Sequence, residues 1–255
     1  MTGGIAAVFA LPDDEVFSVG GTIARYSAAG VPCHLYCATD GDAGRASGVV
    51  VASRGDLGQR RRAELRKGAE ILGFEAVWFG GLPDGALAGA DQDALIGEIV
   101  RALRSWRPSV VLTFGPEGAP NAHRDHRAIS RAATAAFFAA RIATMYPDQL
   151  TAGLAPHAAD RLLYVAWPDP PADAELPSRS LPIDVTIDIR AFAATKRRSF
   201  MAHETQLDHL GRFERLGMTD EERFHLAAGS GLGGAGDLVG AGASHDPRGE
   251  AVPIP

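Results

Sequence analysis

The chain has 255 residues, 46% of them hydrophobic and 22% charged, and a formal net charge of −6. That length suits one large α/β domain or two small ones, with ample apolar content for a core. The acidic balance argues against a nucleic-acid partner, the dense basic run Arg60-Arg61-Arg62 with Arg66 and Lys67 reading as a solvated helix face, and no stretch approaches the ~18 consecutive apolar residues of a membrane span.

The first residues carry no basic n-region and run straight into a core strand, so no signal peptide is expected. Cys33 and Cys37 lie on one face of a strand, too far apart for easy bridging, and read as small buried residues of a reducing compartment. A cytoplasmic location is the expectation, and a homo-oligomer suits an α/β protein of this size.

In chain order, Ile5 to Ala10 is a short apolar run of the kind that forms a buried strand. It breaks at Leu11-Pro12, and Asp13, Asp14 and Glu15 follow before a helix that ends at Gly30. Pro32 to Ala38 reads as a second strand, followed by the Gly/Asp loop from Thr39 to Gly44 and an irregular stretch over 45–55. Asp56 to Gly73 is a helix with a glycine stop, and Ala76 to Phe79 a third strand before the turn-rich segment Gly80 to Gly85. Asp91 to Trp106 is an amphipathic helix halted by Pro108. Ser109 to Phe114 is a fourth strand, apolar through its middle as a central parallel strand should be. After a loop, His123 opens a helix to about Ala143.

Strand and helix alternate throughout, which predicts one Rossmann-like α/β domain with a mostly parallel sheet and helices on both faces. Beyond it, Arg161 to Trp167 and Ile183 to Ile189 are expected strands around a Pro-rich loop over 168–182, and Ala191 to Gln206 an expected helix. The domain is expected to span 1–228. Residues 229–255, rich in Gly and Pro, read as an irregular C-terminal region: a mobile tail or a loop over the site.

Two clusters carry chemistry. Asp13 and Asp14 sit at a strand-to-helix corner, where open α/β sheets place ligands. Acids in a first helical turn also complement the macrodipole. Adjacent side chains point in different directions, however, so one can hold a metal while the other faces a water. The second cluster is His123-Arg124-Asp125-His126, after the central strand, with His123 and His126 on one side of a helix. There is no phosphate-binding glycine loop and no nucleophile elbow. Imidazole and carboxylate groups alone point to metal-assisted hydrolysis.

These residues resemble the PIG-L/LmbE-like deacetylases, zinc-dependent enzymes that remove N-acyl groups from amino sugars. The family opens with A-H-P-D-D-E where this chain has Ala10-Leu11-Pro12-Asp13-Asp14-Glu15, and its H-P-D-H matches His123-Arg124-Asp125-His126. Further matches are Arg61-x-x-Glu64 followed by Leu72-Gly73, Leu82-Pro83-Asp84-Gly85, and the run from Lys196 to His203-x-x-Gln206. The resemblance implies an N-acylated amino sugar or glycoconjugate as substrate and Zn²⁺ as cofactor. It makes Asp14 and His126 zinc ligands and Asp13 the base that activates water. It makes His123 the group that stabilises the oxyanion and protonates the departing amine. Asp125 would orient an imidazole, and Arg61 and Asp84 would contact sugar hydroxyls or a nearby polar group, although a solvated helix charge is an equal reading of Arg61.

Leu11 departs from the pattern, because the family's first zinc ligand is a His at that position and Leu has no donor atom. Shared evenly, a zinc affinity on the order of 10–16 kcal/mol loses about 3–5 kcal/mol with one ligand. Three readings stay open: a hydrolase in which His34, Asp40 or His203 replaces the ligand, an inactive relative that binds an amino sugar, or an ordinary deacetylase carrying one substituted residue.

Overall fold

The computed structural model describes residues 3–167, 181–229 and 237–239. Strands β1 (Ile5–Phe9), β2 (Cys33–Thr39), β3 (Ala76–Leu82) and β4 (Val110–Phe114) alternate with helices α1 (Asp14–Ala28), α2 (Arg54–Leu72), α3 (Gln92–Trp106) and α4 (Arg124–Ala139). A short α5 (Pro147–Thr151), β5 (Arg161–Val165), β6 (Val185–Asp188), α6 (Ala193–Met201) and β7 (Glu221–Gly229) follow. The strands form a single seven-stranded sheet in the order β3-β2-β1-β4-β5-β7-β6. β7 runs antiparallel to both β5 and β6, and the other described pairings are parallel. Helices α1, α2 and α6 pack as one layer, and α3 and α4 as another, the arrangement that right-handed crossovers impose when a chain winds outward from the centre in both directions.

The expected α/β architecture is the one observed. Its central strands are buried from end to end: every residue of β1 and β4 is inaccessible or nearly so. Phe9 and Phe114 meet edge to face at 4.9 Å across the pair. β1 and β4 are neighbours in parallel register, Ile5 opposite Val110. From β1 the chain winds one way to β2 and β3, and from β4 the other way to β5. The strand order therefore reverses between β1 and β4, opening a crevice at their carboxyl ends.

Two expectations need correction. Glu221–Gly229 is a full strand, β7, inserted between β5 and β6, whereas the sequence reading passed over it. Its alternation is disguised by a glutamate: Glu222 takes an inward position and is 5% exposed, tolerated because Lys196 Nζ lies 2.6 Å from its carboxylate and the Gly21 and Thr22 amides donate to it. The C-terminal region also differs, where it is described. Leu238 is fully buried; its carbonyl accepts from Arg161 and its amide donates to the Tyr26 hydroxyl. This contact lies at the start of β5 and the end of α1, on the edge away from the crevice, so residues 237–239 do not cover the site. Most of the Pro-rich loop and the rest of the tail lie outside the described residues.

Candidate active site

The corner after β1 is built around Asp13, whose φ of 113° is left-handed. A non-glycine residue holds that conformation only when its surroundings over-determine it, at a cost of about 1–3 kcal/mol. The surroundings here are specific. The Asp13 amide donates to Glu15 Oε2 at 3.1 Å, and Glu15 in turn meets His203 Nε2 at 3.0 Å, both side chains fully buried. From the other side the Arg61 guanidinium donates to the Pro12 carbonyl at 2.6 Å and the Gly41 carbonyl at 2.8 Å. It also lies 3.7 Å from Asp13 Oδ2. Arg61 is 4% exposed, so the solvated-helix reading does not hold: it is an internal brace.

Asp14 is fixed by the end of the strand itself. Its Oδ2 accepts from the Ala10 and Leu11 amides, at 3.2 and 2.8 Å. Its Oδ1 faces His126 Nε2 at 3.1 Å. His126 comes from the neighbouring strand's corner and lies flat on Phe114, with ring centroids 3.9 Å apart. His123 caps α4: its Nδ1 accepts the Asp125 amide proton at 3.2 Å. An accepting Nδ1 leaves the proton of the neutral ring on Nε2, so His123 carries an N–H to offer.

Asp125 does not orient an imidazole. Its carboxylate is fully buried and accepts the backbone amides of Gly85 and Leu87, at 2.6 and 3.2 Å, which pins the loop after β3 onto α4. Asp84, beside it, donates its amide to Asp42 and presents its side chain to the cleft. Asp13, Asp14, Arg61, Asp84, His123 and His126 line one cavity of about 220 Å³. Asp125 alone of the expected set lies behind its wall.

Charge in the cleft is set by burial. Desolvation pushes the Asp13 carboxyl up to about 7, with Arg61 opposing and Asp14 reinforcing the shift. Burial likewise raises Asp84. For His126, burial disfavours the charged ring, but Asp14 and Asp13 outweigh it and the pKa is raised.

Residues 6–137 match the family model described as PIG-L, GlcNAc-PI de-N-acetylase. The 1D-myo-inositol 2-acetamido-2-deoxy-alpha-D-glucopyranoside deacetylase of Rhodococcus jostii is 32% identical over 238 residues, covering 78% of this chain and 80% of that protein. The chain belongs to the PIG-L family. Among solved structures, the N,N'-diacetylchitobiose deacetylase of Pyrococcus horikoshii shares the fold with a TM-score of 0.72 at 21% identity, over 88% of this chain and 83% of that one. A 4-carboxy-2-hydroxymuconate hydratase from Pseudomonas putida KT2440 shares it with a TM-score of 0.68 at 20% identity, over 90% and 98% of the two chains.

Within this PIG-L site, the donors available to a metal are Asp14 and His126, which contact each other directly. Leu11 lines the cavity beside them. None of the three expected replacement donors is free: His34 stacks on Trp106 and faces Glu75, Asp40 pairs with Arg62, and His203 is committed to Glu15. Among the described residues no group of three His, Cys, Asp or Glu side chains is arranged to hold a metal ion. The residues present therefore do not fit a three-donor zinc site, and the zinc expectation rests on the resemblance.

The cavity also holds residues that the sequence gave no reason to select. Arg45, His209 and Arg212 line it, with Asn121 and Trp167. Their signal was hidden because they come from a loop and from short helical turns far apart in the chain.

Proposed function

We propose that this PIG-L protein binds an N-acylated amino sugar, or a glycoconjugate bearing one, in the crevice between β1 and β4. There it hydrolyses the N-acyl amide by acid–base chemistry from Asp13 and His123. The observation that carries this reading is that Asp13 and His123 line one cavity from the corners of adjacent strands. Asp13, lifted to about 7 by burial, has the pKa of a base matched to neutral solution. It takes a proton from water as the water oxygen bonds to the amide carbonyl carbon. The Nε2–H of His123 donates to the charge that develops, then passes its proton to the nitrogen as the carbon–nitrogen bond breaks, and the proton that Asp13 took from water returns to His123, releasing an amine and a carboxylic acid. The relatives named as deacetylases of N-acetylated sugars support the substrate class. No step is assigned to a metal.

Leu11 favours a second reading, a sugar-binding protein that turns over slowly or not at all, because it removes a donor from the cleft without disturbing Asp13, Asp14, His123 or His126. The test is metal content by elemental analysis and deacetylation of N-acetylglucosaminides, for the chain as it stands and for Leu11→His in parallel. The expected result is little bound zinc and slow turnover with Leu11, and a gain of both with Leu11→His. Near-stoichiometric zinc in the unaltered chain would overturn the two-donor account. Sugar binding without turnover in either protein would leave the binding reading alone.

A further inference from the structure

The cleft holds basic side chains that the hydrolysis does not use. Arg45 comes from the loop after β2, and His209 and Arg212 from the segment after α6; all three line the cavity that holds Asp13 and His123. Among the described residues the guanidinium groups of Arg45 and Arg212 have no hydrogen-bond or ion-pair partner, in a chain whose net charge is −6. The two segments are stitched into one unit. Ser47 Oγ donates to the Thr205 carbonyl at 2.8 Å and accepts the Asp208 amide at 2.9 Å. Gln206 Nε2 donates to the Arg45 carbonyl at 3.1 Å. Behind them Glu64 takes the Thr205 amide and hydroxyl, at 3.0 and 2.6 Å. Ser47 holds a left-handed φ of 45° within this lattice of bonds.

The segment is thus pre-formed, and both arginines act on His209. His209 is kept neutral first by burial and then by Arg212, Arg61 and Arg45, with only the exposed Asp208 acting the other way. Two guanidinium groups without a partner among the described residues, lining one cavity around His209, offer an anion their fork of donors. Asp13, Asp14 and Asp84 line the same cavity, so an anion is favoured beside the arginines and disfavoured beside the carboxylates.

We infer that Arg45, His209 and Arg212 form an anion subsite, which reads a carboxylate or phosphate carried by the aglycone of the amino sugar while its N-acyl group faces Asp13 and His123. This rests on the reading of the cleft as an amino-sugar site and narrows the substrate to an anionic glycoconjugate.

The test compares three probes by titration calorimetry on the full chain at low ionic strength: methyl N-acetyl-α-glucosaminide, its carboxymethyl counterpart, and N-acetylglucosamine 1-phosphate. The unaltered protein should bind at least one anionic probe about 10- to 100-fold tighter than the neutral one, the range that charge-assisted bonds supply. Whichever anion is preferred identifies the group. The preference should shrink as salt is added. In Arg45→Gln/Arg212→Gln the ratio should fall to about one, while Arg60→Gln, an exposed charge elsewhere on α2, should keep it. Equal affinity for all three probes would overturn the subsite and leave the amino-sugar reading standing. A preference that survives in Arg45→Gln/Arg212→Gln would overturn it as well. No binding of any probe would remove both readings.

Discussion

Asp13 holds an unfavourable backbone conformation because Arg61 and Glu15 grip the turn on either side, and that turn delivers its carboxylate to the cleft. If Asp13 and His123 act as proposed, Asp13→Asn and His123→Ala should each lower kcat by about 10²–10⁴ with the circular dichroism spectrum unchanged. Equal kcat for both variants and the unaltered chain would remove the assignment, and repeating the measurement with Leu11→His guards against a low starting rate. A second residue-scale test concerns Gly41, whose carbonyl receives Arg61 and whose φ is +65°. A Cβ there would stand 2.4 Å from Arg61 Nη1. Gly41→Ala should cost about 1–3 kcal/mol, from the left-handed backbone and the displaced guanidinium together. A urea midpoint that does not move would show that the brace is dispensable.

At the scale of elements, α1 is held in place by a buried ion pair. Lys196 of α6 donates to the Phe17 carbonyl at 3.2 Å, and Glu222 of β7 accepts the Gly21 and Thr22 amides at 2.9 and 2.7 Å. Glycines at 20 and 21 make this approach possible: a Cβ on Gly21 would lie 2.4 Å from Ile189 Cδ1, and one on Gly20 3.1 Å from Lys196 Cγ. Burying two charges is costly, and breaking such a pair costs more than the pair itself contributes. Lys196→Met should therefore destabilise the fold by about 3–5 kcal/mol, and adding Glu222→Gln should return part of that loss in chemical denaturation. A double variant as unstable as the single one would mean that the lysine stem, not the charge, matters. Neither the pair nor β7 was legible in the sequence. Glu222 breaks the apolar alternation by which a strand is read, and its partner stands 26 positions away.

For the whole molecule, titration couples to stability at the edge away from the cleft. Burial lowers the pKa of His34 and of His157, with Glu75 partly offsetting the first and the Pro108 carbonyl the second. The folded state keeps these rings neutral, while the unfolded chain binds protons below about pH 6.5. The sign follows: the two histidines cost stability as pH falls through that range. His126 and His203, both raised, contribute the opposite slope. Replacing the first pair by His34→Phe, which keeps the stack on Trp106, and His157→Gln, which keeps a donor for the Pro108 carbonyl, should flatten the acid-side decline. Urea midpoints at pH 7.5 and 5.5 (values chosen to bracket about 6.5) measure it, and an unchanged difference between them would refute the assignment.

Periodicity and turn chemistry in the sequence alone determined the α/β class, because alternating apolar strands and amphipathic helices are local patterns. They also determined that Asp13-Asp14 and His123 to His126 each follow a strand, and that Leu11 lacks a donor. Only the tertiary structure decided that β1 and β4 are neighbours at the reversal of strand order, which turns two distant corners into one cavity. It alone made Arg61 a brace and Asp125 a loop anchor, and it alone gathered Arg45, His209 and Arg212 into the same cavity. Those roles depend on desolvation and on contacts between segments remote in the chain, and no local pattern encodes either.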